Sequence, residues 1–194
     1  MKLIGLTGGI GCGKTTVLEA FRRFGVPCFV ADERAAAYYD DPDFLKSIRG
    51  LFGDGVFRAD GSADKRRIAD IVFGDRDALQ RLNALIHPMV MDDFGRWTAQ
   101  QQAPYVVLES AILYEYGLDS RMDGIVAVYL EKEERMRRLE LRDHVSREAL
   151  EARMRNQLSA EEKMDRADYV VLNYEGNPRA RQVQTIDKKI RESI

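Results

Sequence analysis

The chain has 194 residues, enough for one substantial hydrophobic core with a small inserted region. Its composition (45% hydrophobic, 32% charged, formal net charge −2) argues against disorder, a membrane-embedded protein and an extended nucleic-acid surface. No stretch is long and apolar enough to span a membrane, and the first residues lead into a strand rather than a secretion signal. Its two cysteines, Cys12 and Cys28, lack metal-ligand spacing, so we expect a cytoplasmic protein in a reducing compartment.

The most informative motif is a glycine-rich loop at residues 8–15, with the sequence Gly-Gly-Ile-Gly-Cys-Gly-Lys-Thr. It follows an apolar run at 3–6 and precedes an amphipathic stretch at 17–21, the strand–loop–helix context of a phosphate-binding loop. Glycines let successive backbone N–H groups turn towards an anion, and the helix that follows adds its positive dipole end. Lys14 would reach the β- and γ-phosphates, and the Thr15 hydroxyl would bind Mg²⁺. The sequence therefore predicts a nucleoside triphosphate site.

Five apolar runs of strand length alternate with helical patterns along the chain. The predicted strands are residues 3–6, 26–30, 106–108, 125–129 and 169–172. Residues 42–102 are predicted to be mainly helical, with breaks at 53–55, at 60–61 and at His87-Pro88. Residues 131–163 are charged and helical, and a last helix runs through Ile190. This order predicts a doubly wound α/β fold with a five-stranded parallel sheet, whose ligands bind at the carboxyl ends of the strands.

Two acidic residues follow predicted strands. Asp32 comes after the second strand, where it could accept the proton of an attacking hydroxyl or serve as the N-cap of a helix over 33–39. Glu109 comes after the third strand, where it could hold Mg²⁺ directly or through water, or be a solvated charge. The residue types alone leave both pairs of alternatives open.

The helix after the fourth strand carries a cluster of arginines, namely Arg135, Arg137, Arg138 and Arg142. Glu134 lies four residues before Arg138, a favourable pair that accounts for Arg138 without a ligand. Arg142 has the like charge of Arg138 one turn away, and a phosphate between the two guanidiniums would replace their repulsion by attraction. We therefore predict Arg142 as the residue that stabilises charge on the transferring phosphoryl group.

Segments beyond the loop point to one kinase family. They are residues 6–16, Ala31-Asp32, 82–88, 113–115, Arg138-Leu139 with Arg142-Asp143, Arg153 with Gln157, and 167–173. With these segments the chain resembles the dephospho-coenzyme A kinases almost from end to end. The loop occurs in many families, whereas its combination with Asp32 and the Leu-Asn…His-Pro segment at 82–88 is much more specific.

The resemblance implies that the γ-phosphoryl group of ATP is transferred to the ribose 3′-hydroxyl of dephospho-coenzyme A, with Mg²⁺ as cofactor. It implies Asp32 as the base and Arg142 as a lid arginine at the phosphates. The residues expected to bind ATP are Gly9, Gly11, Cys12, Gly13, Lys14, Thr15, Thr16 and Asn173, the last of them near the adenine. From the residues alone, His87 and Pro88 are interpreted as a structural helix junction. The resemblance implies that they lie near the acceptor.

The resemblance also implies a division of the chain into three parts. A nucleotide core would comprise about 1–40, 103–131 and 167–194, with a helical acceptor-binding region at about 64–102 and a lid at about 134–166. No nucleic-acid or membrane partner is expected, and the sequence leaves the oligomeric state open. A thiol at a helix N-terminus beside a lysine is expected to have a lowered pKa, which gives Cys12 some reactivity.

Three other functions remain open at this point. A kinase of another small acceptor, such as a nucleoside monophosphate or shikimate, would share the core fold. Residues 92–95, Asp-Asp-Phe-Gly, match the short sequence pattern of a GTPase switch. This segment lies in a predicted helical stretch, however, and the chain contains no Asn-Lys-x-Asp motif for guanine binding. A nucleotide-gated binding protein without transfer activity is disfavoured by Asp32 and Arg142 at their expected places.

Overall fold

A computed structural model describes residues 1–143 and 146–194, apart from the side chains of Asp143, Ala149 and Arg153. Within the predicted lid at 134–166, residues 144–145 therefore lie outside the described residues. The side chains of Asp143 and Arg153, two positions of the family resemblance, lie outside them as well. The strands are β1 (Lys2–Thr7), β2 (Cys28–Val30), β3 (Tyr105–Glu109), β4 (Gly124–Tyr129) and β5 (Tyr169–Leu172). They form one sheet in the order β2-β3-β1-β4-β5, and every neighbouring pair is parallel.

Helices connect the strands. They are α1 (Lys14–Arg23), α2 (Ala31–Ala37), α3 (Pro42–Phe52), α4 (Lys65–Gly74), α5 (Arg76–Thr98), α6 (Lys132–Asp143), α7 (Arg147–Met154), α8 (Ala160–Asp165) and α9 (Arg179–Glu192). The chain divides into two compact units, one of residues 1–30 and 100–194 with the sheet, the other of residues 31–99. None of the helices in the described ranges is long and apolar enough to cross a membrane.

Side chains cover both faces of the sheet. On one face Ile4 and Leu6 of β1 pack with Phe21 of α1 and Ile186 of α9, all of them buried. On the other face Gly5 leaves no room for a side chain, because a Cβ there would lie 2.6 Å from Leu113 and 2.9 Å from Ile125. A parallel sheet buried on both faces confirms the predicted doubly wound α/β fold.

The unit of residues 31–99 is helical, as predicted, and its helices are interrupted at 53–55 and at 60–61, where the sequence indicated breaks. The predicted break at His87-Pro88 is wrong, since α5 runs through Pro88. A proline inside a helix removes one hydrogen bond, and α5 offsets this loss by burying apolar residues on both sides, such as Leu82 before it and Val90 after it. The boundary that the sequence analysis missed lies at Asp75, whose carboxylate caps α5 by accepting from Asp77 N at 2.8 Å.

Candidate phosphoryl-transfer site

The glycine-rich loop lies between β1 and α1, as the sequence predicted. Lys14 is the first residue of α1, and its Nζ donates to Gly8 O at 3.2 Å. The same Nζ lies 3.7 Å from Glu109 Oε1 at the end of β3. Thr15 and Thr16 follow in the first turn of α1, and both are exposed. The structure therefore brings together the cation, the hydroxyls and the helix N-terminus that a polyphosphate requires.

Asn173 holds the loop closed around Gly13. Its Nδ2 donates to Cys12 O at 2.6 Å, and its Oδ1 accepts from Arg179 Nη1 at 2.6 Å. Gly13 has φ +90°, and a Cβ on it would lie 2.1 Å from Asn173 Nδ2. Asn173 is 1% exposed, and its amide nitrogen bonds the loop while its amide oxygen bonds α9. The contact with adenine that the resemblance implies for Asn173 stays a prediction.

Cys12 corrects one expectation. The sequence predicted a lowered pKa for a thiol beside Lys14, but the residue lies in the core with no exposed surface. Burial raises the pKa of the Cys12 thiol, because a thiolate there would lose its hydration, and the opposing charge of Lys14 is the smaller effect. The prediction of a reactive thiol is therefore wrong. Cys12 contributes its backbone carbonyl to the bond with Asn173 and packs its side chain in the core.

Glu109 is not a solvated charge. It ends β3, in register with Leu6 of β1 and with Val30 of β2, and it is 6% exposed. A buried carboxylate needs a compensating positive charge, and Lys14 places one 3.7 Å from Glu109 Oε1. Its position at the end of a central strand fits the ligand edge of a parallel sheet, while contact with a metal stays a prediction.

The arginines of α6 differ in their surroundings. Arg138 Nε lies 2.7 Å from Glu134 Oε1, which confirms the predicted pair, and Arg137 binds the same carboxylate at 2.8 Å on the exposed side. Arg142 lies in the last turn of α6 and is exposed. Arg135 is buried against the phosphate loop, and the sequence analysis missed it because four arginines on one helix look alike without knowledge of what the helix packs on.

A buried ion pair attaches α8 to the segment that follows β3. Lys163, with no exposed surface, lies 2.8 Å from Glu115 Oε1 and also donates to Ala111 O. Glu115 Oε1 accepts in addition from Leu158 N at 2.8 Å. Burial lowers the pKa of Lys163, and the hydrogen bond and charge of Glu115 act in the opposite direction. The pair joins the region predicted as a lid to the core segment 110–117.

The remaining predicted residues lie in the unit of residues 31–99. Asp32 is the second residue after β2 in the chain, and it is exposed in the first turn of α2 rather than an N-cap before it. His87 is half-buried within α5, and burial lowers its pKa because the imidazolium would be poorly hydrated. Pro88 follows it on the same helix and is exposed. The roles of these three residues stay predictions.

The segment at 92–95 is not a GTPase switch loop. It lies wholly inside α5, and Asp93 is a buried carboxylate with structural partners. Asp93 accepts from Tyr38 Oη at 2.7 Å and binds the guanidiniums of Arg34 and Arg96. These bonds hold the Asp93 pKa below its usual value despite the opposing effect of burial. A carboxylate with these bonds holds helices together and leaves no mobile loop for a nucleotide to switch.

The fold and the loop define the class. A phosphate loop between the central strand and a helix, on a five-stranded parallel sheet of this order, is the architecture of the small phosphate-loop kinases. The sequence model of the family described as dephospho-CoA kinase matches residues 2–178. The chain belongs to the dephospho-CoA kinase family, and it is accordingly an ATP-dependent phosphotransferase.

Two dephospho-CoA kinases and one solved structure are similar to this chain. The chain is 37% identical over 172 residues to the dephospho-CoA kinase of Bacteroides fragilis strain YCH46, which covers 88% of this chain and 83% of the relative. It is 34% identical over 196 residues to the dephospho-CoA kinase of Geobacter sulfurreducens, covering 99% and 96%. The crystal structure of TT1252 from Thermus thermophilus superposes with a TM-score of 0.87 at 34% identity, covering 97% of this chain and 96% of that one.

Proposed function

We propose that the chain transfers the γ-phosphoryl group of ATP to the ribose 3′-hydroxyl of dephospho-coenzyme A. The observation that carries the proposal is the family match over residues 2–178. The loop geometry supports it, because Lys14 and Glu109 lie together where a triphosphate would end. Phosphoryl transfer requires mainly positioning and electrostatic stabilisation, and this site consists of parts that supply both.

The residues at the loop fit a magnesium ion. Thr15 offers an exposed hydroxyl in the first turn of α1, and Glu109 offers a carboxylate at the end of β3. Hydroxyl and carboxylate oxygens are the hard ligands that Mg²⁺ prefers. The loop is also shaped for close approach, since a Cβ on Gly8 would lie 2.5 Å from Val128 O. When bound, the ion would neutralise charge on the β- and γ-phosphate oxygens.

We assign Asp32 as the base and Arg142 as the lid arginine. Asp32, the second residue after β2, would orient the acceptor hydroxyl and take its proton. Arg142 would meet the phosphates when the lid region closes and excludes water. His87 and Pro88 would lie near the acceptor. These roles rest on the motif matches of Asp32, Arg142 and residues 82–88.

The setting of the reaction is the cytoplasm. Both cysteines are free thiols, Cys12 buried and Cys28 half-buried, which fits a reducing compartment. The substrates are ATP and dephospho-coenzyme A, and the proposal includes no nucleic-acid or membrane partner.

The deciding experiment is a coupled ADP-release assay with ATP and Mg²⁺. Dephospho-coenzyme A, AMP, CMP and shikimate are offered in turn, and the phosphorylated position is read by ³¹P and ¹H NMR. We expect ADP release with dephospho-coenzyme A alone and a new phosphate on the ribose 3′-oxygen. The Lys14→Ala variant, purified in parallel, controls for a contaminating kinase. Release with another acceptor alone would overturn the proposal in favour of a related small-molecule kinase.

A further inference from the structure

Arg135 reaches the phosphate loop from the first turns of α6. A Cβ on Gly9 would lie 2.2 Å from Arg135 Nη1, so the guanidinium lies directly against the loop backbone. On the neighbouring residue, Gly8 O accepts from Lys14 Nζ at 3.2 Å. Two cations therefore meet the loop at its first two residues. Because this lysine serves the β- and γ-phosphates, Arg135 lies at the same end of the polyphosphate site.

The described structure gives Arg135 no partner for its charge. The residue is 6% exposed, and its Nε is buried without a hydrogen bond. Within residues 1–143 and 146–194, Glu134 takes Arg137 and Arg138, while Arg135 has no ion pair. A buried guanidinium nitrogen without a hydrogen-bond partner is unfavourable, and such a group in a native protein calls for a ligand that completes it.

Arg135 also lines a cavity of about 420 Å³ bordered by α6, α7 and α8. Three carboxylates border the same cavity, and each has a partner of its own. Glu151 lies 3.7 Å from Lys132 Nζ, and Glu161 accepts from Tyr129 Oη at 3.1 Å. Glu162 forms the capping box of α8 with the residue before that helix. The charge of Arg135 is therefore left for an anion that enters the loop.

We propose that Arg135 binds the terminal phosphoryl group of the nucleotide and makes the protein distinguish ATP from ADP. A guanidinium donates to two phosphate oxygens at once, a geometry that a single ammonium cannot provide. ADP lacks the γ-phosphoryl group and so loses this contact, which favours its release after transfer. Arg135 is fixed against Gly9 in the protein described here, whereas Arg142 is exposed about two turns further along α6.

The inference rests on the proposed function only in that the nucleotide is ATP, and its test needs no acceptor. Calorimetry measures binding of the non-hydrolysable analogue AMP-PNP and of ADP, each with excess Mg²⁺. We expect Arg135→Gln to weaken AMP-PNP binding by about 10–100-fold, the range for one charge-assisted contact, and ADP binding by less than about threefold. Arg135→Lys is expected to recover part of the loss.

The matched control is Arg137→Gln, the same change on the same helix at an exposed residue. Both of its affinities are expected to stay within about twofold of the wild type, because surface ion pairs contribute little. Thermal unfolding of the free protein separates binding from folding. Removing a charge that is buried without a partner leaves the unfolding midpoint of Arg135→Gln equal to or above that of the wild type.

Any of three results would overturn the inference. Equal weakening of AMP-PNP binding and ADP binding, or no weakening of either, means that Arg135 does not bind the terminal phosphoryl group. A lowered unfolding midpoint together with loss of both nucleotides means that Arg135 holds the loop structurally. Selective loss of AMP-PNP in a protein that does not phosphorylate dephospho-coenzyme A would refute the proposed acceptor and leave this inference standing.

Discussion

Gly13 shows how closely the loop depends on single atoms. Alanine at this position would place its Cβ 2.1 Å from Asn173 Nδ2 and would also adopt a left-handed backbone, with φ +90°. We expect Gly13→Ala to break the Asn173–Cys12 hydrogen bond and to lower ATP affinity by at least about tenfold, measured by calorimetry. Gly25→Ala is the matched control, since Gly25 has φ +73° and open space around its Cβ. It shares the backbone strain of about 1–2 kcal/mol and keeps ATP affinity; equal affinities in the two variants would contradict the prediction.

Asp32 is the residue on which proton transfer depends in the proposed mechanism. Asp32→Asn keeps the size and shape of the side chain and removes its ability to take a proton. We expect turnover to fall by about 10²–10⁴-fold, the range for loss of a general base, with ATP affinity nearly unchanged. Steady-state kinetics with dephospho-coenzyme A and calorimetry with AMP-PNP make the two measurements. Asp40→Asn, at an exposed acid in the same unit, is the control, and unchanged turnover in Asp32→Asn would exclude the base role.

Arg142 is expected to act on the transition state more than on bound ATP. Arg142→Ala should lower kcat by about 10²–10³-fold, the loss for one electrostatic donor in phosphoryl or acyl transfer, and change ATP affinity much less. The comparison of kcat with the dissociation constant of AMP-PNP checks this split. Equal losses in both would make Arg142 a ligand of the ground state.

At the scale of elements, the buried pair of Lys163 and Glu115 joins α8 to the segment after β3. Glu115→Gln leaves the ammonium of Lys163 buried without its anion, so we expect the free energy of unfolding to fall by about 3–5 kcal/mol. Urea unfolding followed by circular dichroism measures the change.

The control for this pair is Glu192→Gln at the end of α9. Glu192 makes an exposed ion pair with Lys188 at 3.6 Å, which is expected to contribute at most about 1 kcal/mol. Losses of similar size in the two variants would show that the Glu115 pair contributes no more than a surface contact.

The strands were easier to predict than the helix boundaries. Residues 169–172 were predicted as a strand and form β5, because a short apolar run between helical patterns favours a strand, although Val171 is the one residue of the four that is fully buried. The continuation of α5 through Pro88 was not predictable from local preference, since it depends on the apolar contacts that Leu82 and Val90 make in three dimensions.

At the scale of the whole molecule, His87 links stability to pH. Burial lowers its pKa in the folded chain, whereas an unfolded histidine titrates near 6.5. As the pH falls below about 6.5, the unfolded chain takes up a proton that the folded chain resists, so the free energy of unfolding decreases. His87→Gln should remove this part of the loss between pH 7.5 and 5.5, as measured by urea unfolding. Equal slopes of stability against pH in the variant and the wild type would contradict it.

The sequence by itself determined the class of fold, the phosphate loop and the family, because these depend on local periodicity and on residue types at fixed spacing. Which side chains meet at the loop was decided only by the tertiary structure. Asn173 lies 160 residues from Gly13 in the chain and still packs against it. The packing of α6 on Gly9 is what distinguishes Arg135 from the three other arginines of that helix. The physical reason is burial, which arises from contacts between segments that are distant in sequence. It raises the pKa of Cys12 and leaves Nε of Arg135 without a hydrogen-bond partner.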